Sequence, residues 1–126
     1  MSKYSVNPTF TYDDEDLIDI LSSGVHDIGY WCGIHDSNEW YEACRELPRG
    51  STVEDVLLHM LKKGDYVLMY DVEDELDTWR LTLDMLLKGI KLTIENGYWS
   101  GDMDDIDGQV GDIIFQYALF DEIVFG

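Results

Sequence analysis

Apolar residues recur along this chain with two different periods, and the change from one to the other marks its elements. Residues 4–12 alternate loosely, with Tyr4, Val6, Phe10 and Tyr12 apolar and Pro8 interrupting. Proline cannot donate to a ladder, so this stretch reads as an edge strand. Asp13, Asp14, Glu15 and Asp16 come next, followed by Leu17, Ile18, Ile20 and Leu21. Carboxylates in a first turn complement the helix dipole, and the apolar group supplies one face. A helix therefore starts here, ending or bending at Gly24. Val25, Ile28, Tyr30 and Trp31 suggest a second short helix or an inserted turn. Residues 39–47 read as a short helix stopped by Pro48.

The pattern sharpens after Gly50. Ser51 or Thr52 with an acid three residues on resembles a capping box. Val53, Val56, Leu57, Met60 and Leu61 repeat at helical spacing, with Lys62, Lys63 and Gly64 at the close. Tyr66, Val67, Leu68, Met69 and Tyr70 read as a strand. Residues 71–77 read as an acidic turn, and 78–81 as the returning strand of a hairpin. Thr82 opens a helix carrying Leu83, Leu86, Leu87, Ile90 and Ile94, which ends near Gly97. A loop over 101–108 precedes a last helix, running from about Asp105 to about Leu119. That helix should bury Val110, Ile113, Ile114, Tyr117 and Ala118. The tail, 120–126, is apolar enough to dock. The sum is an α+β fold: a small antiparallel sheet, the N-terminal strand plus a hairpin, packed by about four helices.

The chain has 126 residues, 45% of them hydrophobic, which is enough for one domain with a core, over 1–126. No run of about 18 apolar residues suggests a membrane span. The first residues lack an apolar signal core, so an intracellular protein is expected. Reduced Cys32 and Cys44 follow from that compartment.

Charge changes the picture most. There are 27 Asp and Glu against 8 Lys and Arg, a formal net charge of -19. Solubility asks for a magnitude of roughly 2 to 8 in a small domain. The excess repels itself on folding and points to a basic partner, not to nucleic acid or anionic lipid. As an average the charge is thin: about one per 360 Å² on a globule of about 6,900 Å². Duplex DNA, with one charge per about 1.7 Å of axis, carries about one per 107 Å² on a cylinder of about 10 Å radius. A DNA-like face needs clustering, and three clusters are present. They are Asp13, Asp14, Glu15 and Asp16; Asp71, Glu73, Asp74, Glu75 and Asp77; and Asp102, Asp104, Asp105 and Asp107. Each lies at a helix start or in a turn, where acids also cap and solvate.

Catalytic patterns are weak. An EF-hand with Gly108 as its glycine would place Met103 at the first ligand position and Ile114 at the closing one, and neither can serve. A looser divalent site on Asp102, Asp104 and Asp107 is the alternative. Among His26, Cys32, His35 and Cys44, the Cys32–His35 pair has the two-residue spacing of zinc ligands, but His26–Cys32 and His35–Cys44 are wide, so buried thiols and an ordinary histidine explain them more simply. No turn frames either cysteine as a nucleophile, and no glycine-rich loop could cradle a phosphate. No catalytic residue, metal or cofactor is expected. Trp31, Trp40, Tyr41, Trp79, Tyr98 and Trp99 read as core or rim, and any exposed one could anchor an interface.

Residues 81–90 (Leu-Thr-Leu-Asp-Met-Leu-Leu-Lys-Gly-Ile) and 112–126 (Asp-Ile-Ile-Phe-Gln-Tyr-Ala-Leu-Phe-Asp-Glu-Ile-Val-Phe-Gly) resemble a family of small acidic proteins of bacterial phages and mobile elements. Residues 28–32 (Ile-Gly-Tyr-Trp-Cys) resemble that family's first half. Proteins of this kind in turn resemble anti-CRISPR inhibitors, some of which imitate DNA. The resemblance implies a non-enzymatic inhibitor in the cytoplasm of a bacterial host, acting as a monomer or small homo-oligomer. Its partner would be a basic nucleic-acid-binding protein, such as a Cas effector subunit, with no direct contact to nucleic acid or membrane. The acids of the hairpin turn and of the 102–107 loop are the chief candidates for that contact. The alternatives are an immunity or regulatory protein for a basic nuclease toxin, a metal-assisted hydrolase using the Asp-rich loop, and a halophile's solvation shell.

Overall fold

A computed structural model describes residues 3–6 and 10–126. The class is α+β, with five helices and two small antiparallel sheets among the described residues. Strands β1 (Lys3–Ser5) and β2 (Thr11–Asp13) pair with each other alone, Tyr4 opposite Tyr12. Pro8, read as the interruption of one edge strand, lies outside the described residues.

Helix α1 spans Asp14–Val25, and Asp13 caps it: its side chain accepts from Asp16 N–H while the Asp16 carboxylate accepts from Asp13 N–H. The helix ends at Val25, one residue beyond Gly24, close to where the glycine was expected to stop it. Gly24 is buried where α1 crosses the last helix, and a Cβ there would strike the Phe115 ring. A short 3-10 turn, Ile28–Tyr30, leads into β3 (Cys32–Ile34). Helices α2 (Asn38–Glu46) and α3 (Val53–Lys62) follow, α3 with the reciprocal cap between Thr52 and Asp55.

The main sheet has the order β3–β4–β5, with β4 over Val67–Asp71 and β5 over Asp74–Leu81. The hairpin's third strand is thus β3, and the N-terminal strand stands apart. A three-residue strand containing glycine offers too little alternation to be read from sequence. Gly33 permits the pairing, since a Cβ there would collide with the Tyr70 phenol. The acidic turn is also shorter than 71–77. Only Val72 and Glu73 turn; Asp74, Glu75 and Asp77 belong to the strand. Asp71 faces Asp74 and Tyr70 faces Thr78, so Glu75, Leu76 and Asp77 form a bulge in β5. Leu76 is 93% exposed on it.

Helix α4 covers Leu83–Glu95 and α5 Gly108–Phe120. The last helix starts later than Asp105, because Asp107 supplies the cap to Val110 N–H. Asp105 instead closes a separate 3-10 turn, Met103–Asp105. Helix α5 packs between α4 and α1, with α1 on α3 and α3 on α2. Leu17, Leu57, Met60, Met69, Leu86, Ile114 and Phe115 fill the centre. Ile113 is only half-buried, whereas Asp112 and Gln116 are buried.

The tail docks. Gln116 Oε1 accepts from Val124 N–H (2.7 Å) and Phe125 N–H (2.8 Å), and its Nε2 donates to the Phe125 carbonyl (3.2 Å). Phe125 lies flat on Trp31, ring centroids 4.9 Å apart.

Candidate functional site

The three acidic clusters have different local fates. In the first, Asp13 and Asp16 close the α1 cap. Asp14 is also engaged: Lys62 Nζ lies 2.6 Å from its Oδ2, and Tyr4 donates to its Oδ1 at 2.8 Å. The Lys62 hydrogen bond holds the Asp14 carboxyl below the usual carboxylate range. Most of this cluster serves the fold.

In the hairpin, Asp71 accepts from Glu73 N–H (2.9 Å) and Asp74 from Leu76 N–H (3.1 Å), local bonds that shape the turn and bulge. Among the described residues, no hydrogen bond or ion pair engages the carboxylates of Glu73, Glu75 or Asp77, and all three are exposed. In the loop, Asp102 accepts from Asp104 N–H, Asp105 from the Ser100 hydroxyl and Asp107 from Val110 N–H. These bonds fix the backbone without neutralising any charge.

Cations go elsewhere. Lys62, Lys63, Lys88 and Lys91 pair with Asp14, Glu46, Asp121 and Glu95. Arg80, on β5 itself, lies over the Tyr66 ring at 4.7 Å. Among the described residues, no ion pair reaches the hairpin or the 102–107 loop.

Two clusters meet. The Tyr12 hydroxyl donates to the Gly101 carbonyl at 2.7 Å, and its ring stacks on Trp99. Burial first, then the charges of Asp16 and Asp102, push the Tyr12 phenol up to about 12. Acids from the 13–16 and 102–107 groups therefore act on one buried phenol. The hairpin turn is held by Val72 N–H, which donates to the Trp31 carbonyl (3.2 Å) just after the 3-10 turn. Total surface is 6863 Å², which gives about 360 Å² per net charge for the formal -19.

One acid escaped the sequence reading. Asp112, 7% exposed, accepts from the Tyr30 hydroxyl (2.6 Å) at Oδ2, and from Trp31 Nε1 (2.9 Å) and Gln116 Nε2 (3.0 Å) at Oδ1. Burial, followed by the hydrogen bond to Asp112, pushes the Tyr30 phenol up to about 12. Asp112 lines an open cleft of about 370 Å³ with Tyr30, Tyr98, Ile113 and Phe125. The available signal was Asp112 and Gln116 four apart on an otherwise apolar helix, where side chains meet.

The cysteines are not both buried. Cys32 is, and burial pushes its thiol up to about 12, whereas Cys44 is exposed on α2. Among the described residues, no group of three or more His, Cys, Asp or Glu could hold a metal ion, and no helix is long and apolar enough to cross a membrane. No family model, curated protein or solved structure matches the chain.

Proposed function

We propose that this protein is a non-catalytic inhibitor whose carboxylates occupy the basic nucleic-acid-binding groove of another protein. A CRISPR–Cas effector is the partner suggested by the likeness, in size, charge and genetic context, of small acidic phage proteins to anti-CRISPR inhibitors. One observation carries the reading: among the described residues, the acids of the hairpin and the 102–107 loop take part in no ion pair. Charges left open on a surface attract a complementary one at long range and raise the rate of encounter. Carboxylates would stand where phosphates stand, against the Lys and Arg of the groove. The short cap and turn bonds of Asp71, Asp74, Asp102 and Asp107 hold part of this charge in place before any partner arrives. Such preorganisation reduces the ordering cost of binding.

The test is binding to purified effector–guide complexes across a salt series. Affinity should fall steeply with salt, and target nucleic acid should compete. Changing Asp71, Glu73, Asp74, Glu75 and Asp77 together to their amides should weaken binding strongly, because asparagine keeps the turn bonds while removing the charge. Affinity indifferent to salt or to this variant sinks the reading. Binding to a nuclease toxin, with no effector bound, would replace it with an immunity protein.

A further inference from the structure

Asp112 is a carboxylate without a counter-ion. Its three partners are the neutral donors of Tyr30, Trp31 and Gln116, and no Lys, Arg or His among the described residues forms an ion pair with it. Buried carboxylates are ordinarily paired. A carboxylate offers about four lone-pair directions. Oδ1 takes two donors and Oδ2 only one, so Oδ2 keeps an acceptor position. The carboxylate lines an open cleft shared by the rings of Tyr30 and Tyr98, each about half exposed.

We infer that this cleft is a cation site that receives a guanidinium group, the arginine side chain of a basic partner. A planar guanidinium donates to a carboxylate oxygen through its edge while its face lies on an aromatic ring. A compact, strongly hydrated ammonium uses flat walls less well. The volume, about 370 Å³, falls in the roughly 300–1,000 Å³ range of small-ligand sites. The charge of Asp27 adds to that of Asp112 in raising the Tyr30 phenol. The site extends the function proposed above by naming one contact that a basic partner makes. It is tested without that partner, so absence of effector binding would remove the earlier reading and leave this one standing.

The experiment is an amide NMR titration of the whole chain with N-acetyl-arginine amide at constant ionic strength, beside N-acetyl-lysine amide. Saturable shifts are expected at Tyr30, Tyr98, Gln109 and Ile113 and at the Gln116 side-chain amide, with the lysine compound weaker. Tyr98→Ala should weaken arginine binding by about fivefold, the loss of one ring contact. Tyr98 is exposed, so this variant keeps its fold and stays informative even if Asp112→Asn does not fold. Four outcomes would overturn the inference. They are shifts concentrated at 71–77 or 102–107, shifts that do not saturate, equal binding of the lysine compound, and unchanged binding by Tyr98→Ala.

Discussion

Gln116 ties together two parts of the molecule with one amide. Its Nε2 donates to Asp112 and to the Phe125 carbonyl, and its Oε1 accepts two tail N–H groups. It is 1% exposed, so water cannot replace these bonds while the tail stays docked. Gln116→Ala should destabilise by roughly 2–3 kcal/mol, since it strands buried donors and acceptors. Urea unfolding reads the loss, and Trp31 fluorescence should shift to the red as Phe125 leaves its face. A loss below about 0.5 kcal/mol would mean that the tail docks by its rings alone. Polar residues such as these were the hardest to read in sequence. Apolar periodicity marks Val110, Ile114 and Tyr117 as core, but it cannot say that Asp112 and Gln116 between them turn inward. Their burial depends on Tyr30 and Trp31, which lie far away in the chain.

At the scale of elements, caps were legible and crossings were not. Thr52 and Asp55 form their box from local spacing alone. The hairpin's strands also follow from composition, but the turn's length does not, because Asp and Glu suit turns and exposed bulges alike. Glycine ends helices, and α1 does stop one residue after Gly24. The contact Gly24 makes is not legible in that signal: a Cβ on Gly111 would meet the Gly24 Cα at 2.7 Å, backbone against backbone. Nothing flexible can move aside there. Gly111→Ala should therefore destabilise by about 1–3 kcal/mol, the usual penalty of overpacking. Gly29→Ala is the control, with open space around its Cβ, and should change stability by no more than about 0.5 kcal/mol. Thermal denaturation of the two variants side by side decides. Equal effects would remove the argument for a close α1–α5 crossing.

For the whole molecule, charge dominates the response to solvent. A formal -19 with open acidic segments repels itself, and salt screens that repulsion. The melting temperature should rise as the Debye length falls from about 30 Å at 0.01 M to about 10 Å at 0.1 M. Scanning calorimetry in a chloride series checks this, and a melting temperature that ignores salt contradicts it. Acidification has two opposed parts. Neutralising carboxylates relieves repulsion, which favours the fold. Asp14 works the other way. Its folded pKa lies below its unfolded one, so its contribution is full above the ordinary carboxylate range and is lost as pH falls through the folded value. Lys62→Met should remove this acid-side loss, seen as a higher titration midpoint for the Asp14 carboxyl carbon by NMR. The presence of three acidic clusters was plain from sequence. That the first serves a cap and an ion pair while the other two stay open needed the fold, because Lys62 and Asp14 are 48 residues apart.

The two buried side-chain bonds of Tyr12 and Trp31 span 89 and 81 residues. Helices α1 and α3 can form from local signals within microseconds. The nest around Trp31 cannot, since Asp112 and Phe125 must both arrive from far along the chain. Closing loops of that length comes late, and contacts distant in sequence slow folding even in a helix-rich protein. Seating α5 and its tail on the first half of the molecule is what closes these long loops.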